Sequence, residues 1–380
     1  MSPRPRALRR AVAADPVNLA EYEALARQRM EPAAFDYYAG GAGDERTLAE
    51  NRRAFDRAQL LPRCLVDVGR IDPGTRVLGE PVAFPVLLAP TAFNKLAHPD
   101  GELAAARAAS GAGTIMVAST VSTYTLEEIA AAAAGPYWFQ LYVYKDRVLT
   151  RDLVQRAAAA GYRALVLTVD SPRLGRRERD VRNRFTLPPG LSIKNFETVH
   201  GRLAQATGWG GDSDFATYVH NLFDASLTWD VVAWLNSLTP LPILLKGILA
   251  PEDARRAVEA GASGIIVSNH GGRQLDGVEP SLVALPRVAQ AVGDSVEVLM
   301  DGGIRRGTDV LKALALGARA VLIGRAYLWG LAVAGEAGVR RVLALLRHEL
   351  ELAMALAGRP TIASVDRTLL RVAAESDPDA

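Results

Sequence analysis

A (β/α)8 TIM barrel, an α/β fold with an N-terminal helical extension and a long insertion after its fourth strand, is the fold class that three features of this sequence predict. Eight short apolar runs rich in Val, Ile and Leu alternate with Ala-, Leu- and Glu-rich stretches of helical spacing from about residue 83 to about residue 335. Each run stops at polar residues and glycines, the composition of a strand end that faces a ligand. The early G-x-G-x-x-G of a dinucleotide-binding sheet is missing from the sequence, which leaves a doubly wound sheet as the runner-up architecture.

The elements follow in order. The opening MSPRPRALRRAVAADP is basic but lacks the apolar stretch of a secretory signal, so residues 1–17 read as a disordered, solvated extension. Asn18, with Glu21 three positions on, predicts a capped helix carrying Leu19, Tyr22, Leu25 and Ala26 on one stripe and ended by Pro32. Next, FDYYAGGAGDERTLAENRRAFDR passes through a glycine turn into a second amphipathic helix within a helical segment over 18–82. Strands are expected at 84–89, 114–118, 137–142, 164–169, 242–246, 264–268, 296–300 and 320–323. Between them GELAAARAASGAG, VLTRDLVQRAAAAG, PEDARRAVEAG and GTDVLKALALGA read as helices closing in Gly. One connection breaks the rhythm: residues 171–228, through Pro188-Pro189-Gly190 and Gly208-Trp209-Gly210-Gly211, far exceed an ordinary βα loop and would emerge on the catalytic face as a lid or flexible loop. Residues 336–380 read as a C-terminal helix and tail, and 1–380 as one domain.

Composition narrows the function classes. With 49% hydrophobic and 23% charged residues, the chain suits a globular protein with a large core. Lys and Arg number 44 against 42 Asp and Glu, and a net charge of +2 gives no reason to expect a nucleic-acid or membrane partner. No apolar run reaches membrane length. The lone Cys64 rules out an intramolecular disulfide and any multi-cysteine metal site, fits a reducing compartment, and reads as a small buried hydrophobe.

The predicted strand ends carry the chemistry. In order they read Pro90-Thr91-Ala92, Ser119-Thr120, Gln140-Leu141-Tyr142, Thr168-Val169-Asp170, Lys246-Gly247, Ser268-Asn269-His270, Asp301-Gly302-Gly303-Ile304-Arg305 and Gly324-Arg325. The last two strands commonly build a phosphate site in this fold, and here DGGIRRG supplies glycine amides and a helix N-terminus while Arg305 and Arg325 supply charge. Gln140, Thr168, Ser119 and the peptide groups of Pro90 to Ala92 suit a polar heterocycle, and Lys246 suits negative charge developing on it. With no metal-ligand cluster in the sequence, flavin mononucleotide (FMN) fits best. His270, Asp170, Tyr142, Tyr37, Arg273 and Arg177 would face the substrate: two arginines for a carboxylate, a histidine for a proton, and Asp170 for the imidazolium.

Taken together, FDYYAGGAGDERTLAENRRAF, APTAFNKLAHPDGE, WFQLYVYKDR, LTVDSPRLGRRERDVRNRF, LPILLKGI, GIIVSNHGGRQLD, VLMDGGIRRGTDVLKALALGA and VLIGRAYLWG resemble the FMN-dependent L-2-hydroxy acid oxidase and dehydrogenase family, from about Asn18 to about Leu356. That group includes glycolate oxidase, lactate oxidase and mandelate dehydrogenase. The resemblance implies His270 as base with Asp170 as its partner, Arg177, Arg273 and Tyr37 on the substrate carboxylate, and Tyr142 on the 2-hydroxyl. It implies FMN held by Thr91, Ala92, Ser119, Gln140, Thr168, Lys246, Ser268, Asp301, Gly303, Arg305, Gly324 and Arg325. The product would be a 2-oxo acid, formed by hydride transfer to flavin N5 or by a carbanion route through the same residues. Dioxygen would then reoxidise the flavin to give hydrogen peroxide, or a quinone or other acceptor would do so. An FMN barrel isomerase is the less favoured class, since it has no use for the arginines and tyrosines around His270.

Two departures carry expectations. Where plant glycolate oxidases have tryptophan after the second strand, this chain has Val121, which should open the pocket to substrates larger than glycolate, such as lactate, longer chains or mandelate-like aromatics. The ending SDPDA is not a peroxisomal S-K-L, so a cytoplasmic location is expected, and the resemblance implies a homo-oligomer of four or eight chains. The stretch GRLAQATGWGGDSDFATYVHNLF is too mixed for a membrane-binding segment and favours a soluble oxidase.

Overall fold

The computed structural model describes residues 15–196 and 222–372. The predicted N-terminal extension as far as residue 14, the part of the long insertion over 197–221 and the tail from 373 lie outside the described residues. The fold is a closed barrel of eight parallel strands. Numbering strands along the whole chain, the barrel consists of β4 (Val86–Leu88), β5 (Met116–Ser119), β6 (Tyr137–Leu141), β7 (Ala164–Thr168), β8 (Ile243–Ile248), β9 (Gly264–Val267), β10 (Glu297–Asp301) and β11 (Ala320–Ile323). Neighbours pair in sequence order, and β11 returns to β4 to close the ring.

Nearly every residue of these strands is buried, because the helices cover the outside while side chains fill the inside. Alternation divides them: Leu87, Val117, Trp138, Val166, Leu244, Ile266, Leu299 and Leu322 pack together as one cluster. Their neighbours on each strand pack against the helix layer. The antiparallel hairpin of β2 (Thr75–Val77) and β3 (Glu80–Val82) adds Val77 and Val82 to the inner cluster, and Leu78 N–H donates to Glu297 at the start of β10. This hairpin therefore closes the N-terminal mouth of the barrel, leaving the C-terminal mouth for chemistry.

Helix α1 (Leu19–Arg29) starts as expected: Asn18 accepts from Glu21 N–H at 3.0 Å, and Glu21 returns bonds to Asn18 Nδ2 and Val17 N–H. Pro32 does more than end it. It occupies the first turn of α2 (Pro32–Ala39), where its missing N–H costs nothing, and α2 places Tyr37 and Tyr38 in the core. Helix α3 (Arg46–Arg57) follows the glycine turn. Strand β1 (Ala58–Leu60) pairs antiparallel with β12 (Leu370–Val372), joining the segment before the barrel to the segment after it. The C-terminal helix begins at Arg325, earlier than expected, and runs to Leu356 with a break at Ala334 and Gly335. Cys64 corrects another expectation: it is exposed, on the loop after β1, where no core element covers it. Among the described residues no helix is long and apolar enough to cross a membrane.

Candidate active site

One cleft opens at the C-terminal mouth of the barrel, and residues from all eight strand ends line it. Its floor is polar and buried. Lys246 Nζ lies 3.0 Å from Asp301 Oδ2 and donates to Ser268 Oγ at 3.0 Å, while Ser268 Oγ–H donates to Asp301 Oδ1 at 2.6 Å. Burial pulls the ammonium pKa down, but Asp301 and Asp170 more than offset this, so Lys246 is a fixed positive charge. Gln140 donates to Thr168 Oγ1 at 3.1 Å and accepts from Ser119 Oγ and Thr120 N–H, so its amide is oriented from both ends. Together these groups present donors, acceptors and one cation to a flat polar ligand.

The end formed by β10 and β11 is an anion site. Arg305 is held by the Ile304 carbonyl, and Arg325 by the carbonyls of Tyr38, Gly40 and Gly271 at 2.8–2.9 Å. Neither has a carboxylate at ion-pair distance among the described residues, and burial lowers both guanidinium pKa values. Two desolvated cations beside Gly302, Gly303 and Gly324 fit a phosphate.

The opposite wall holds the groups for a hydroxy acid. His270 follows β9 with a left-handed φ of +58°, and its N–H donates to Ser268 Oγ at 3.0 Å. Its Nδ1 lies 2.8 Å from Asp170 Oδ1, which assigns the proton to Nδ1 and leaves Nε2 free to accept. Burial pulls the imidazole pKa below its usual value, Asp170 opposes this, and Lys246 and Arg177 reinforce it. Burial would raise the Asp170 carboxyl, yet contact with His270 keeps it below the usual range. The pair is thus a neutral base beside a carboxylate that stabilises its protonated form.

Arg177 and Arg273 stand on the same side. Arg177 is 5% exposed, and Asp180 Oδ2 lies 4.0 Å from its Nη1. Burial and the like charge of Arg273 draw its guanidinium down to about 10. Arg273 donates to the carbonyls of Tyr37 and Gly40 at 2.6 and 2.9 Å and lies 5.0 Å from the Tyr37 ring centre. The two cations have too little negative charge around them until an anion binds. Tyr142, its phenol pushed up by burial, lies with its ring 4.5 Å from that of Phe223, and Val121 is 2% exposed in the cleft wall.

Every residue that the sequence assigned to the site lines this cleft except two. Asp170 and Ser268 stand behind it, one against His270 and the other between Lys246 and Asp301. Several contributors escaped the sequence reading. Ser171 donates to Asp170 at 3.0 Å, and Gln274 donates to the carbonyls of Asp170 and Arg173 and accepts from Gly175 N–H. Both adjoin named residues, which was their only signal. Asn51 and Asn269 exchange amide hydrogen bonds of 2.9 and 2.8 Å, fastening α3 to the loop that bears His270. Leu174 and Phe223 line the cleft without a polar signature.

A family model described as FMN-dependent dehydrogenase matches residues 26–372. An L-lactate oxidase of Nostoc sp. (strain PCC 7120 / SAG 25.82 / UTEX 2576) is 56% identical over 362 residues, 94% of this chain and 98% of that one. Glycolate oxidase 3 of Oryza sativa subsp. indica is 54% identical over 351 residues, 92% of this chain and 95% of that one. Among solved structures, mandelate oxidase with (S)-4-hydroxymandelic acid has a TM-score of 0.89 at 46% identity, covering 94% of this chain and 98% of that one.

Proposed function

Since this chain belongs to the FMN-dependent dehydrogenase family, we propose that it is an FMN-dependent oxidase of L-2-hydroxy acids, converting them to 2-oxo acids. The observation that carries this reading is the His270–Asp170 contact of 2.8 Å in a cleft that also presents Arg177 and Arg273. FMN, when bound, would supply the acceptor for the hydride that leaves C2, with dioxygen as the final electron acceptor and hydrogen peroxide as its product. Arg305, Arg325 and the glycines beside them hold its phosphate, and Lys246, Gln140, Ser119, Thr168 and the peptide groups at Pro90, Thr91 and Ala92 hold its ring system.

The remaining steps belong to the protein. Arg177, Arg273 and Tyr37 hold the substrate carboxylate, bidentate arginine contacts fixing which face of C2 is presented. Tyr142 donates its phenolic O–H, kept protonated by burial, to the 2-hydroxyl. His270 Nε2 removes the hydroxyl proton, and Asp170 stabilises the imidazolium so formed. Val121 opposite these groups leaves room for substrates of lactate size or larger. Cytoplasmic operation as a homo-oligomer of four or eight chains completes the reading, and sedimentation velocity tests the assembly.

The test is anaerobic mixing of the purified yellow protein with glycolate, lactate, 2-hydroxyoctanoate and mandelate, followed by air. Bleaching names the substrate. Fast recolouring supports dioxygen as acceptor, and slow recolouring assigns the electrons to a quinone or another carrier instead. His270→Ala should keep the flavin and lose the bleaching; undiminished bleaching refutes His270 as the base. A marked preference for glycolate refutes the role given to Val121.

A further inference from the structure

Strand β8 does not run regularly to its end. Lys246 pairs with Ile266 and Ile248 with Val267, so Gly247 bulges out of the ladder between them. Its φ of +113° lies where side chains rarely go. On the other flank Thr168 pairs with Lys246, and Val169 N–H donates to the Lys246 carbonyl at 2.9 Å, which carries the next residue, Asp170, beside Gly247. A Cβ at position 247 would stand 2.7 Å from both Cβ and Cγ of Asp170 and 2.9 Å from Oδ2. That oxygen is buried with no hydrogen-bond partner among the described residues, whereas Oδ1 meets His270 Nδ1 at 2.8 Å.

We propose that Gly247 is a positioning residue: the bulge and the missing Cβ form the recess that seats the Asp170 carboxylate against His270 and so sets the basicity of the imidazole. The proposal rests on the reading of His270 as base and Asp170 as its partner. With no donor on Oδ2, the carboxylate charge acts on the two cations nearest it, the imidazolium and Lys246. A side chain at 247 would push Asp170 away and leave His270 among positive neighbours only. The same bulge lets Lys246 keep its pairing while the strand changes course toward Ile248.

A cycle of Gly247→Ala, Asp170→Ala and the double variant, made as holoenzymes, tests this. Gly247→Ala should lower kcat on the order of 10²-fold, the cost of a displacement of about 1 Å at a catalytic group. KM should stay within about threefold, since this substitution leaves the carboxylate-binding arginines in place. The acid limb of the kcat/KM profile should move to lower pH, a change that general loosening of the fold does not produce. In the Asp170→Ala background the glycine substitution should cost no further kcat, because the carboxylate it displaces is gone and the backbone strain at φ +113° is left to the melting temperature. Where Gly247→Ala fails to accumulate as folded protein, the double variant's yield and melting temperature read the same coupling. Recovery in the double variant upholds the proposal, and an equally unfolded double variant overturns it, since backbone strain alone is then responsible. Additive losses with Asp170→Ala itself impaired overturn the role of Gly247 alone, whereas an Asp170→Ala enzyme of full activity overturns the reading beneath it.

Discussion

Replacing Arg177 by Met separates what the site does for substrate from what it does for the fold. The Arg177 side chain is 4% exposed, and its guanidinium is drawn down to about 10 by burial and by Arg273. That fall corresponds to about 3 kcal/mol of strain on the cation. The sign matters: a cation whose pKa is depressed by folding weakens the folded state at every pH below the lowered value, and the penalty lifts only as pH rises above about 10 toward the ordinary guanidinium value. Met therefore removes a burden from the substrate-free fold at neutral pH, and Asp180, its carboxyl already raised by burial, can take up a proton when its partner leaves. A bound carboxylate reverses the balance, because it neutralises the cation and gains charge-assisted hydrogen bonds of about 1.5–3 kcal/mol. The expected result is a kcat/KM lower on the order of 10²-fold, with KM carrying most of the change and the melting temperature unchanged or raised. Steady-state turnover on the preferred substrate and thermal unfolding measure the two sides. A kcat/KM within about threefold of the parent enzyme, or a clear fall in melting temperature, would refute the assignment.

Three further outcomes follow from the same geometry. Because burial holds the His270 imidazole below 6.5, the base is neutral at pH 7, and kcat/KM should fall as pH drops through that lowered value; folding stability should fall as well, since the unfolded chain takes up the proton first. Val121→Trp should abolish turnover of mandelate and longer 2-hydroxy acids while sparing glycolate, measured as relative kcat/KM. Arg305→Ala should weaken FMN binding by at least about tenfold, read by flavin release on dilution, because a charge-assisted contact to the phosphate is lost where only Arg325 remains.

The barrel was legible because parallel strands buried on both faces appear as unbroken apolar runs. Limits between strand and loop were less so. Val86 rather than Phe84 opens β4 because Pro85 has no N–H to give the ladder, and β8 runs past Lys246 because the bulge at Gly247 lets pairing resume at Ile248. The pairing of β1 with β12 could not be seen, since strands of three residues carry no pattern of their own. Exposure of Cys64 was likewise invisible: burial statistics describe a residue type, and this one lies on a loop without a core. At the site, residues with distinctive chemistry at strand ends were readable. Ser268 shows the limit: the sequence placed it among the residues holding FMN, and it stands behind the cleft between Lys246 and Asp301. Gln274 and Asn51 act through amides that look like any surface amide in a sequence.

The arginine contacts to the end of α2 have a consequence for how the two halves of the cleft are joined. Arg273, on the substrate side, and Arg325, on the phosphate side, share the Gly40 carbonyl and take the neighbouring carbonyls of Tyr37 and Tyr38. These are the oxygens that a helix leaves unsatisfied at its C-terminus, so they serve as counter-charge for two cations without calling on any side chain. One short turn thus works as a common bearing for both halves of the cleft. An anion held by Arg325 and one held by Arg273 would therefore both bear on the same turn. The two ends of the cleft are thereby joined through main-chain oxygens.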